Sequence, residues 1–437
     1  MEQLLLYLVA FFRPILFIEV GAANLFDIGG VAVIAVLGVS VFIRAATGKT
    51  LQLSAIDALI VAFVLWCFSV AAIYPATFDG RGLLKLVAPF IGYTVAKNVI
   101  LERSQYQRML GIMIIGFVAP VAASVVLIVL GKGIDPFGEN YWTGIVRWAG
   151  AYDSSHDMGH NMTFLLMVLA MYFGMRFHQR SEGNPEIRKP IIIGALVLAS
   201  GALYCLWMSQ VRTALVGLFV FAVVYLIYVN WRLLAVLSGT AVAVVTVFFP
   251  ILKPILLPDL VMVEKTGAGA EALASGRPTF WTHNLELFGN LPLDRQLAGV
   301  GIGFNRLPGF LDSHNDLLDV LIQTGVVGFL LFAALQVIVF LRLGQLPKSE
   351  RYLFRALFVA VLAMNLGSNS YVARFGLAQM YYLVMARIET RKSSVQVATY
   401  GLNGVATETR ESSGARFGPQ VTTFPVSRNG FRKSTFL

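Results

Sequence analysis

Asn315 to Leu343 reads NDLLDVLIQTGVVGFLLFAALQVIVFLRL, a polar opening followed by one long apolar run. Runs of about 17 to 25 apolar residues match the helical length that spans a hydrocarbon core of about 30 Å. The same pattern recurs along the chain. Apolar residues make up 57% of the sequence, charged residues only 13%, and the mean hydropathy is +0.72. A water-soluble fold cannot hide that much apolar surface, so the solvent is lipid. The expected fold is all-α: a polytopic membrane protein of about twelve transmembrane helices with one larger external loop segment.

Outward from that stretch, the runs place spans near Leu4–Val20, Ile28–Ala46, Ala55–Tyr74, Gly82–Ile100, Met109–Leu130 and Gly159–His178. The later ones fall near Ile191–Met208, Ala214–Val229, Leu233–Leu257, Asn315–Leu343, Tyr352–Leu366 and Phe375–Ile388. Alternate loops differ in Lys and Arg. One set carries Arg44, Lys49, Lys97, Arg103, Arg108, Arg180, Arg188, Lys189, Arg232, Lys348, Arg351, Arg391 and Lys392. Basic residues in short loops stay cytoplasmic, so both termini are expected there. Residues 1–388 form the expected membrane domain, with external segments 131–158 and 258–313. Residues 389–437, rich in Ser, Thr, Gly and Arg, read as a disordered cytoplasmic tail. The net charge of +10 sits mainly in loops that set topology, and nucleic acid is not an expected partner. Cys67 and Cys205 lie inside apolar runs, where a thiol acts as a small hydrophobe.

The residues able to carry chemistry cluster in the external segments. In Asp312-Ser313-His314-Asn315-Asp316, Ser313 and Asp316 have capping-box spacing, which places His314 in the first helical turn. The helix dipole there disfavours imidazolium and leaves a neutral base; a simple cap with His314 in a polar corner fits the same residues. Arg212, in a tight turn between two spans, suits either a snorkelling anchor or an anion ligand at the outer membrane edge. Arg277 lies in the second external segment. Arg81 and Lys85, one helical turn apart, share a face. His156 and His160 are four residues apart, but the Glu of a zinc-protease motif is missing and a capping role is preferred, so no metal site is expected. Gly299-Val300-Gly301-Ile302-Gly303 is a weak nucleotide loop, lacking a strand before it.

These stretches together resemble the O-antigen ligase and polymerase superfamily of bacterial membrane glycosyltransferases. Ser313–Phe332 (SHNDLLDVLIQTGVVGFLLF) is similar to the family's His-Asn helix with a Gly-x-x-Gly step. Ser209–Ala214 (SQVRTA), Ser275–Trp281 (SGRPTFW) and Gly299–Phe304 resemble its Ser-x-x-Arg-Thr, Gly-Arg-to-Trp and Gly-rich segments, and Arg147–Gly159 is a looser match. Gln323 departs from the Glu of many relatives.

The resemblance implies inverting, metal-independent transfer without a cofactor, from an undecaprenyl-pyrophosphate-linked glycan to a hydroxyl of a glycan or lipid A-core acceptor. It would take place on the periplasmic face of the bacterial inner membrane, beside other polysaccharide assembly proteins. His314 would be the base, Arg212 and Arg277 would hold the pyrophosphate, and Arg81, Lys85, His156 and Asn315 would be accessory. Polymerase is slightly favoured over ligase, because the segment between Arg277 and His314 is short for docking a large second lipid. A transporter, bicarbonate-uptake-like or exporting polysaccharide, is the alternative; it would need ionisable residues buried at midspan.

Overall fold

A computed structural model describes residues 1–16, 35–40, 42–44, 46–49, 51–100, 102–140, 145–180, 189–267, 277–303, 309–311, 313–368 and 375–390. The chain runs α1 (Glu2–Ile15), α2 (Ala35–Arg44), α3 (Ala55–Ile73), a 3-10 turn (Pro75–Thr77), α4 (Gly80–Val99), α5 (Arg103–Gly116) and α6 (Val118–Val129). A two-stranded antiparallel hairpin follows, β1 (Ile134–Asn140) with β2 (Ile145–Trp148). Then come α7 (Ser155–Arg180), α8 (Lys189–Ser209), α9 (Arg212–Val229), α10 (Trp231–Leu256), α11 (Pro258–Thr266), α12 (Arg277–Gly289), α13 (Leu293–Ala298), α14 (Asp316–Leu343), α15 (Lys348–Gly367) and α16 (Phe375–Met385).

The protein is an all-α polytopic membrane protein. Among the described residues, α3, the continuous α5–α6, α7, α8, α9, α10 and α14 are long and apolar enough to cross a membrane, seven helices in all. The remaining expected spans coincide with α1, α2, α4, α15 and α16, which are shorter or more polar. The first part of the expected second span, residues 28–34, lies outside the described residues, as do residues 391–437 of the expected tail. Glu389 and Thr390 are buried in the bundle.

Apolar side chains that meet other helices, and those that meet lipid, divide the helices into inner and outer ones. α7 is buried over most of its apolar length, and Met158, Met162, Met167, Met171 and Met175 fill its surroundings. Unbranched thioethers adapt to irregular gaps between helices. α10 is not buried along Trp231–Pro250, so its apolar surface is left for lipid. α9 lies along α15 and α7, and α4 along α16.

One end of the bundle is tied by charge. Glu2 pairs with Arg44 (3.2 Å) and Lys49 (3.0 Å). Lys97 pairs with Asp57 and with Glu389 (3.1 Å), and Glu350 bridges Arg103 (2.7 Å) and Arg387 (3.1 Å). Asp57 has a second task, accepting from the Ser54 amide (2.7 Å) in the capping box that starts α3. This end carries the basic loops; the candidate residues lie at the other.

The long stretch at Asn315–Leu343 is two helices rather than one expected span. Gly325 has φ 68° and ψ −176°, which no helix allows, and divides α14 into 316–324 and 326–343. The second piece, at 1.5 Å per residue, spans about 27 Å, enough to cross by itself. A break in a membrane helix frees carbonyls that lipid cannot satisfy. Here Ile322 C=O accepts from Val300 N–H (2.9 Å), Gln323 C=O from Gly301 N–H (3.3 Å), and Thr324 C=O from the Trp66 indole (2.8 Å).

Candidate functional site

The site is organised by α12. Its residues at 277, 281, 284 and 288 follow the i, i+4, i+7, i+11 spacing that lines one face of a helix. All four are used. The Arg277 guanidinium donates to the carbonyl of Gly367 at the end of α15. The Trp281 indole donates to Ser313 C=O (2.6 Å). Asn284 grips Leu311 twice, its amide N donating to the carbonyl (2.8 Å) and its oxygen accepting from the N–H (3.0 Å). Phe288 is buried with Val300, Leu318 and Ile322 in a small core of its own. Burying such a ring contributes about 2 kcal/mol. α12 therefore fixes the approach to His314 from one side and reaches the end of α15 from the other.

His314 itself is exposed and holds left-handed backbone, φ 48°. The capping-box expectation is corrected here. Asn315 is the cap, its side-chain oxygen accepting from the amides of Leu317 (3.1 Å) and Leu318 (3.2 Å), so His314 stands before the helix instead of in its first turn. Ser313 is buried; its hydroxyl accepts from the Asn315 amide (3.0 Å) and meets Asp319 Oδ1 at 2.6 Å. An Asn amide can reach two orphan N–H groups where a hydroxyl reaches one, which frees Ser313 to hold the helix one turn further on. Asp316 and Asp319 are buried in the first turns, where the dipole favours negative charge.

Arg212 is the first residue of α9 and is half-buried. Gln210, with φ 54°, makes the two-residue turn from α8 possible. Thr213, next to Arg212, lies against Gly367: a Cβ built on that glycine would sit 3.1 Å from the Thr213 methyl. Since the Gly367 carbonyl takes Arg277, the two arginine-bearing segments meet at the end of α15.

His156 and His160 belong to the first turns of α7, started by Ser154, whose hydroxyl meets Asp157 Oδ2 (2.7 Å) and accepts from its amide (3.1 Å). Their rings stack with centroids 6.2 Å apart. Burial, with Cys205 and Asp157 adding, pushes the nearby Tyr152 phenol well above its ordinary value, so it is a neutral wall and not a base. Arg81 and Lys85 lie in the first turns of α4, at the same end of the bundle, where the Asp79 amide donates to Ile302 C=O (2.9 Å). That bond joins α4 to the Gly-rich segment. Gly299, Gly301 and Gly303 all have positive φ, and side chains there would strike Gln323 and Gly325, Thr77, and Thr77 with Asp79 respectively. The segment is a backbone joint between α4 and the α14 break.

Residues 194–333 match the family model described as O-antigen ligase. This part of the chain, about a third of it, is similar to the O-antigen ligase family. The matched region begins in α8 and ends in the second half of α14, and contains Arg212, Arg277, His314 and Asn315. Arg81, Lys85 and His156 lie outside it. A search of curated proteins finds no match. Sequence reasoning missed Thr213, Asn284, Asp319 and Gly367 as organisers of the candidate site. The α12 face was readable from its spacing; Gly367, in another helix far along the chain, offered no local signal.

Proposed function

We propose that the protein transfers a glycan from undecaprenyl pyrophosphate to a hydroxyl of an acceptor glycan, as a polysaccharide polymerase of the O-antigen ligase type. The observation that carries this is the shared end of the bundle at which Arg212 and Arg277 each open a helix and His314 precedes a third. Helix N-termini and guanidinium forks both favour a diphosphate. On this proposal that end is periplasmic, the ion-paired end is cytoplasmic with both termini, and the membrane is the inner one.

His314 Nε2 or Nδ1 takes the acceptor proton as the hydroxyl oxygen attacks the anomeric carbon. The carbon–oxygen bond to pyrophosphate breaks as the new glycosidic bond forms from the opposite face, inverting the configuration. The electron pair leaves on the lipid pyrophosphate, where Arg212 and Arg277 stabilise it; with two guanidinium groups there, the proposal requires no divalent cation. Exposure of His314 leaves it open to an acceptor arriving from water, and the anchored leaving group stays at the membrane surface.

Acceptor identity is tested with purified protein in vesicles. Lipid-linked repeat units supplied alone should give polymer of increasing length. Product only when lipid A-core is added would make the protein a ligase and overturn the polymerase assignment.

A further inference from the structure

His160 is fully buried in the second turn of α7. Its Nδ1 lies 2.7 Å from the carbonyl oxygen of His156. A carbonyl only accepts, so the proton of the neutral ring is on Nδ1 and Nε2 is an acceptor. Nε2 faces the Thr213 hydroxyl at 3.4 Å. The same stretch of α7 docks on the turn before α9 at further points. Gly159 leaves no room for a side chain against Ser209 Oγ and Val211, both at 2.9 Å from a built Cβ, and the Thr163 hydroxyl donates to Ala214 C=O (3.0 Å). Thr213 is thus held on two sides: its hydroxyl toward His160, its methyl against Gly367, whose carbonyl receives Arg277.

We propose that His160 is a positioning residue for the two arginines. By holding the Thr213 hydroxyl, it fixes the first turn of α9 against the end of α15, so that Arg212 and Arg277 address one anionic ligand together. Burial keeps His160 from touching substrate, and its effect passes through Thr213. This inference rests on the proposed role of the arginines as pyrophosphate ligands.

The test uses full-length protein reconstituted in vesicles with a defined lipid-linked glycan donor. In His160→Asn the shorter amide keeps the bond to His156 C=O but does not reach Thr213; in His160→Gln the amide occupies the place of Nε2. The expected result is about a tenfold loss of kcat/KM for the donor in His160→Asn, with acceptor KM unchanged, and recovery of most of it in His160→Gln. Thr213→Val keeps the methyl contact with Gly367 and should show the same loss, and His160→Asn with Thr213→Val should be no worse than either alone. Equal losses in the Asn and Gln variants, additive losses in the double variant, or wild-type kinetics in Thr213→Val would overturn the inference. Thr213→Val decides alone if both His160 variants fail to fold. Arg212→Lys is measured in parallel. A wild-type donor kcat/KM there would instead overturn the pyrophosphate role itself.

Discussion

Gln210 and His314 are the two non-glycine residues with left-handed backbone among those described, and each stands one residue before a helix cap. That conformation costs an L-residue about 1 to 2 kcal/mol, which the surrounding bonds must offset. At His314 those bonds come from Ser313, Trp281 and Asn315. Trp281→Phe keeps the ring and removes the bond to Ser313 C=O, so it should lower turnover several-fold while leaving the thermal midpoint within a few degrees; unchanged turnover would mean that the clamp does not set His314. Arg212→Lys and Arg277→Lys keep charge and lose the planar fork, and each is expected to cost about thirtyfold in rate, with the double variant less than additive. Release of undecaprenyl pyrophosphate measures it, and wild-type rates in both would make the arginines membrane anchors. His314, Arg212 and Arg277 stand out in the sequence as candidates. The cap does not, because Ser-x-x-Asp and Asn-Asp satisfy competing capping rules and only the position of Asp319, one turn on, decides between them.

At the scale of elements, the decisive feature is the broken α14. Its glycines were visible as a Gly-x-x-Gly step, but hydropathy runs straight through the break, so the sequence reads as a single span. What divides the helix is the Gly-rich segment that precedes α14, whose amides satisfy the carbonyls freed at Ile322 and Gln323. Gly325→Ala combines a left-handed backbone with a Cβ driven into the Leu297 carbonyl and the Gly299 amide. It should destabilise by about 2 kcal/mol or more and impair activity with it. Thermal unfolding in detergent measures the shift, and a stable, active Gly325→Ala protein would show that the break is dispensable. Gly328, by contrast, is helical; it makes room for Thr324 and Trp66 and needs smallness alone.

For the whole molecule, the two ends of the bundle differ in kind: one locked by buried ion pairs, the other gathering helix N-termini and the candidate site. The basic loops had marked the first end from sequence, whereas its pairing partners Asp57, Glu350 and Glu389 were hidden among residues remote in the chain. Lys97→Met would leave Asp57 and Glu389 as buried like charges and should cost about 3 kcal/mol or more, seen as a lower thermal midpoint and partly restored by Asp57→Asn. Orientation is checked by a cysteine placed at Leu293, on the exposed side of α13, which should react with an impermeant reagent from the periplasmic side of intact cells. The most direct test of the account compares wild type and His314→Ala, reconstituted with a defined undecaprenyl-pyrophosphate glycan and an acceptor, measuring donor binding and release of undecaprenyl pyrophosphate on the same preparations. The account predicts glycosidic product with stoichiometric release from wild type, and intact donor binding without turnover in His314→Ala. Turnover of His314→Ala close to wild type would contradict it.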